Sequence, residues 1–179
     1  PLGYFANLTS GTIDASQYGQ VVLVNCTDVV VEQGSFERVY AGVQVAVSSN
    51  CTVRNLAVSD ARSYGIYVLG SSNTTVESVQ VDGPSAGIGV SNSLDTTVDD
   101  VHVANTSNEG IFFSSSSGIV NNSVIVNSKI GIRFASTYHS TVNQTYIENV
   151  SLYGIDLFYS SYCSVNNNTI VNGGEAGLR

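Results

Sequence analysis

The chain has 179 residues, 42% hydrophobic and 11% charged, with six Lys and Arg against 14 Asp and Glu and a formal net charge of −8. That balance excludes a nucleic-acid partner, which needs a basic face, and it suits a soluble protein exposed to solvent. No apolar run is long enough to span a bilayer, and no basic segment leads into an apolar stretch as a secretory signal would.

Residues 1–18, PLGYFANLTSGTIDASQY, lack the pattern that follows. Within them Thr12-Ile13-Asp14 is expected as a lead-in strand. From Gly19 the chain repeats itself. Each copy opens on a glycine, at 19, 42, 65, 87, 110, 131, 154 and 177, with spacings of 23, 23, 22, 23, 21, 23 and 23. A period that short and regular marks a solenoid. The eighth copy stops at Arg179, so residues 19–179 are expected to be a module of a longer chain.

Inside each copy, apolar residues alternate with others at period two. Ile66 and Val68 flank Tyr67, Ile111 and Phe113 flank Phe112, and Ile132 and Phe134 flank Arg133. A second alternation closes the copy, as in Val79 and Val81 or Val101 and Val103, and a Thr-Val beat lies between the two, as at Thr75-Val76 and Thr97-Val98. Period two means strands. The leucine ladder and helical segment of a leucine-rich repeat are missing. Three short strands in about 22 residues predict an all-β, single-stranded right-handed parallel β-helix of about seven coils, roughly 35 Å long at the inter-strand spacing. Ser, Thr, Asn and Gly fit its tight corners.

The segments GIYVLGSSNTTVESVQV, GIDLFYSSYCSVNNNTI and QVVLVNCTDVVV resemble the NosD-type β-helix repeats, a family once labelled periplasmic copper-binding. The resemblance runs from about Gly19 to the end. It implies the repeats of carbohydrate-binding proteins, sugar hydrolases and archaeal cell-surface proteins, hence an extracellular or cell-surface location. The shared residues are ladder and corner positions, so the resemblance carries the fold further than the activity.

Copper would require clustered His, Cys or Met. The chain has no Met, and His102 and His139 stand at offsets 15 and 8 from their glycines, on different faces. Asp99 and Asp100 are adjacent and read as a solvated corner rather than a calcium site. No metal and no cofactor is expected. Cys51 and Cys163 share offset nine but lie several coils apart, out of disulfide reach; a bridge from Cys26 to Cys51 is the one pairing left open. Nine Asn-x-Ser/Thr sequons, at Asn7, Asn25, Asn50, Asn73, Asn105, Asn121, Asn143, Asn149 and Asn167, are glycosylation candidates, although corner asparagines generate the same triplets for structural reasons.

The best candidate working surface is the outward position of the first strand, read coil by coil: Gln44, Tyr67, Gly89, Phe112, Arg133 and Asp156. Two aromatics, a glycine notch, a cation and an anion would form a strip about 24 Å long. Sugar rings stack on aromatic faces, while Arg and Asp hydrogen-bond hydroxyls or carboxylates. Phe158 and Tyr159 extend the aromatic surface, with Tyr138 and Tyr162 in neighbouring turns. The ligand-binding set is therefore Gln44, Tyr67, Phe112, Arg133, Asp156 and Tyr159.

A glycosidase needs two or three placed carboxylates, and only Asp156 lies on this strip, one coil from Arg133. The pair is expected as an ordinary surface ion pair. These residues favour a non-catalytic surface module with a structural or adhesive role and a glycan partner. Two alternatives stand beside it. One is a polysaccharide lyase, hydrolase or epimerase using Asp156 and Arg133; the other is self-association of rods through open β-helix ends.

Overall fold

A computed structural model describes residues Pro1–Arg179 and shows a right-handed parallel β-helix of about eight turns. All of its pairings are parallel and run between successive coils, and the only helical element is the 3-10 turn Ala15–Gln17. No helix is long and apolar enough to cross a membrane. The turn count exceeds the expected seven because residues 1–18 form a coil of their own. Their strand Leu2–Ala6 pairs in register with Gln20–Val24, and Gly11–Asp14 pairs with Val29–Glu32.

Three strands per coil are seen plainly where they separate, as in Thr96–Asp99, His102–Ala104 and Glu109–Ser114. Elsewhere the second and third run together, as in Thr75–Asp82, with Ser78 in the left-handed conformation between them (φ 51°). Left-handed residues turn the chain at each corner, and Asn is the commonest of them because its short polar side chain tolerates that region and bonds locally. Asn73 Nδ2 donates to Asn50 Oδ1, and Asn127, Asn149 and Asn172 each donate to the Asn one coil before.

The core is built of stacked ladders. Val43, Ile66, Ile88, Ile111, Ile132 and Ile155 pair in turn, and all are buried. Beside them Phe113 and Phe134 meet edge to face at 5.1 Å. Six of the eight opening glycines, from Gly42 to Gly154, are required by closeness: a Cβ on Gly42 would lie 2.9 Å from the Gly65 carbonyl oxygen of the next coil. Between the corner and the core runs a buried serine ladder, in which Ser48, Ser71, Ser93 and Ser116 each accept the amide N–H of the preceding coil.

Candidate functional site

The outward ladder of the first strand is continuous. Gln44 pairs with Tyr67, Tyr67 with Gly89, Gly89 with Phe112, Phe112 with Arg133 and Arg133 with Asp156. Its surroundings differ from an open strip because the chain bends at each opening glycine. The residue before the glycine therefore projects from the same side as the residue two after it. Tyr64 stacks on Tyr67 with ring centroids 4.5 Å apart and planes 11° from parallel. A Cβ on Gly89 would lie 2.5 Å from the Tyr64 ring. The expected glycine notch is thus filled by a tyrosine, whose phenol is pushed up by burial first and by neighbouring Tyr67 and Glu109 second.

At the other end the same ladder is charged. Asp156 is 0% exposed, not at the surface, because Arg179 closes over it from the next coil. The Arg179 Nε and Nη2 groups donate to Asp156 Oδ1 and Oδ2, both at 3.0 Å. Arg179 also donates to the Tyr153 hydroxyl at 3.0 Å and lies 4.1 Å over that ring. Hydrogen bonding to Asp156 is the main reason the Arg179 guanidinium is held above its ordinary value. Arg133 sits between two carboxylates, 3.2 Å from Asp156 and 3.5 Å from Glu109, and 5.2 Å over Phe158. Neither contact is aligned as a hydrogen bond: Arg133 Nε is buried with no hydrogen-bond partner.

These groups surround a cavity of about 370 Å³ whose lining includes Asn108, Glu109, Lys129, Arg133, Tyr153, Asp156 and Arg179. A missing corner residue opens it. Four residues separate Ala104 from Glu109, but only three separate their partners Val126 and Ile130. On the other side the register shifts between Ser128 and Ile130. Lys129 and Ile130 consequently donate their amides to one acceptor, the Asn108 carbonyl, at 2.9 and 3.1 Å. Three of the chain's six cations line this cavity, facing two carboxylates. It is a cationic pocket in an acidic protein.

Sequence pattern placed Arg133 and Asp156 in adjacent coils but missed Glu109, Lys129, Tyr153 and Arg179. Glu109 and Tyr153 precede their glycines, and the sequence signal is an i, i+3 pairing across glycine, as in Tyr64 with Tyr67. The remaining site residues lie apart. Gln44 is at the far end of the ladder, half-buried; Phe112 is half-buried beside Arg133; Tyr159 is 82% exposed, against Phe158 at a corner.

Seven sequons, at Asn7, Asn25, Asn50, Asn73, Asn105, Asn149 and Asn167, have left-handed corner asparagines, whereas Asn121 and Asn143 end strands. The Nδ2 groups of Asn25, Asn73, Asn105, Asn143, Asn149 and Asn167 donate to neighbouring side chains; those of Asn7, Asn50 and Asn121 have no partner. Cys26, Cys51 and Cys163 are free thiols, the first two buried. Asp99 and Asp100 accept from Asn122 and Ser78 as corner acceptors.

A parallel solenoid with one charged, cleft-like face defines a β-helix module. The chain belongs to the right-handed β-helix family: the model of the right-handed β-helix region matches residues 4–132 and 41–179. Among solved structures, the lidless DFA-IIIase of Arthrobacter chlorophenolicus A6 superposes with a TM-score of 0.65 at 8% identity, covering 99% of this chain and 61% of that one. An alginate lyase from Paenibacillus sp. str. FPU-7 gives 0.60 at 11% identity, over 99% and 87%. PfbA, a surface adhesin of Streptococcus pneumoniae, gives 0.58 at 9%, over 100% and 72%. These likenesses establish the fold. The chain spans about three-fifths of the length of the first of these proteins. No curated protein matches the sequence significantly.

Proposed function

We propose that this chain is a glycan-binding β-helix module of an extracellular or cell-surface protein, and that the Lys129–Arg133–Arg179 cavity takes an acidic sugar of a polysaccharide. One observation carries the reading. In a chain of net charge −8, half the cations line one cavity, and neither carboxylate beside Arg133 there, Asp156 at 3.2 Å or Glu109 at 3.5 Å, is aligned as a hydrogen-bond acceptor for it. The exposed part of the Arg133 guanidinium, with Lys129 and Arg179 beside it, suits a sugar carboxylate, an acceptor that guanidinium and ammonium donors both bind. Phe158, partly exposed, offers an aromatic ring beside it. The polysaccharide-acting proteins and the adhesin that share the fold supply the ligand class to test.

The finer NosD-type assignment rests on the glycine-led sequence segments. Asn7, Asn50 and Asn121, whose amide nitrogens are uncommitted, are the sequons this reading favours for glycan attachment.

The experiment is retention of the purified chain on immobilised neutral and uronic-acid polysaccharides, with Lys129→Ala alongside. Retention on uronic-acid polymers that weakens about tenfold in Lys129→Ala, a loss of ~1.4 kcal/mol, is the expected result. Equal retention on neutral and acidic polymers, unaffected by the substitution, overturns it. The same incubation reads catalysis: release of shorter or unsaturated products would turn the reading to a lyase, hydrolase or epimerase. Asp156 weighs against that outcome, since a carboxylate sealed by Arg179 must be released before it can accept a proton.

A further inference from the structure

The coil from Gly110 is shortened at a second corner, far from the charged cavity along the chain path. In the flanking coils, residues eight positions after the glycine are Asp95 and His139, both left-handed (φ 54° and 53°). In this coil Ser117 is followed directly by Gly118, which pairs with Thr96. The corner residue is missing. A groove of about 150 Å³ results, with Asp95, Thr97, Gly118, Ile119 and His139 among its lining residues.

One side of the groove adjoins a cluster of rings. His139 and Tyr162 stack with centroids 5.2 Å apart and planes at 25°, and Tyr138 stands edge-on to both at 4.3 and 5.0 Å. Tyr138 is 54% exposed and Tyr162 72%. Earlier coils place Ser49 and Ser72, or Asn50 and Asn73, at the equivalent corner positions, so aromatic faces appear only where the groove is. On the other side stands Asp95. One of its carboxylate oxygens meets Ser117 Oγ at 3.5 Å and the other has no partner.

We infer that this corner groove is a separate site for a neutral pyranose residue of a glycan, stacked on the His139 ring, which Tyr138 and Tyr162 hold in place, with its hydroxyls donating to Asp95. A sugar presents an apolar C–H face and a hydroxyl edge, which match a ring face beside an acceptor. The groove holds one carboxylate and no Lys or Arg, so a uronate is repelled. Its volume is well below the roughly 300–1,000 Å³ of drug-sized pockets and suits a single ring. The inference rests on the glycan-binding reading of the module, but on none of the residues of the cationic cavity.

The test is titration of the chain with a neutral gluco-oligosaccharide and, separately, with an oligouronate, for wild type, His139→Ala and Asp95→Asn. Both positions are exposed corners, and circular dichroism verifies that the variants fold. The expected result is that both substitutions weaken the neutral oligosaccharide at least ~10-fold and leave the oligouronate within about twofold. Absence of neutral-sugar binding in wild type, or binding untouched by both substitutions, overturns the inference. So does a mass that rises with concentration and falls in His139→Ala, which would assign the rings to a second copy of the chain. Loss of oligouronate binding alone would remove the cationic-cavity proposal and leave this one standing.

Discussion

The outward face of the first strand is closed over its N-terminal half and open over its C-terminal half, on the same backbone. Around Gly89, Tyr64 lies across the glycine and stacks on Tyr67; around Arg133 and Asp156, a cavity remains with five charged side chains on it. Both places have a shortened corner. The coil from Gly65 lacks a residue around Pro84-Ser85, as the coil from Gly110 lacks one around Ser128-Lys129. Beside the first, Pro84 is buried and the Tyr64 ring lies against Gly89; at the second, Lys129 and Ile130 line the open cavity. A deletion makes room in a solenoid, and whether a ring from the adjoining coil lies across it, as Tyr64 does beside Gly89, decides whether the room stays.

The largest effect on this contrast should come from Asp156→Ala, which leaves two guanidiniums facing each other. Removing one partner of a wholly buried pair costs about 3–5 kcal/mol. Arg179 is partly exposed and can be rehydrated, so a loss of about 2 kcal/mol is expected in denaturant unfolding, whereas Gln44→Ala at the other end should change stability by less than ~0.5 kcal/mol. Equal effects at the two ends would dissolve the distinction.

Gly89→Val attacks the closed half. Its Cβ would meet Tyr64 at 2.5 Å and Tyr67 at 3.1 Å, and overpacking of that kind costs typically ~1–3 kcal/mol. Expulsion of Tyr64 should appear as a changed near-ultraviolet tyrosine signal, with oligouronate binding unaltered. If binding falls as well, the two halves are coupled and the cavity is not self-contained.

The smallest effect concerns pH. Burial raises the Tyr64 phenol, so the folded state holds that proton more tightly than the unfolded chain does. Its contribution is fully present below the ordinary tyrosine value near 10 and is lost as pH rises through the higher folded value. Tyr146 is raised as well, by its hydrogen bond to Glu148. An alkaline titration followed by phenolate absorbance should therefore show late-ionising tyrosines whose amplitude falls in Tyr64→Phe while the Tyr146 part remains; an unchanged amplitude in Tyr64→Phe would contradict the burial of Tyr64.

The architecture was legible in the sequence because its two signals are local: alternation at period two in Ile66-Tyr67-Val68, and a glycine wherever the next coil comes too close for a Cβ. The ladder from Gln44 to Asp156 followed from counting offsets. The site did not, for three physical reasons. Alternation puts Tyr153 and Asp156 on opposite faces, and only the bend at Gly154 returns them to one. The burial of Asp156 depends on Arg179, which lies one coil on. The spacing of 21 reveals two missing residues, but their locations emerge from the pairing of Gly118 with Thr96 and of Ile130 with Glu109.

The cationic cavity is tested most directly by the arginine side chains themselves. The chain has five arginines, at 38, 54, 62, 133 and 179, so nitrogen-15 spectra of their Nε–H groups during titration with an oligouronate contain their own controls. Progressive shifts of Arg133 and Arg179, with Arg38, Arg54 and Arg62 unmoved, are the predicted result. Uniform shifts of all five, or none, would contradict a built site and reduce the cluster to an internal ion-pair network.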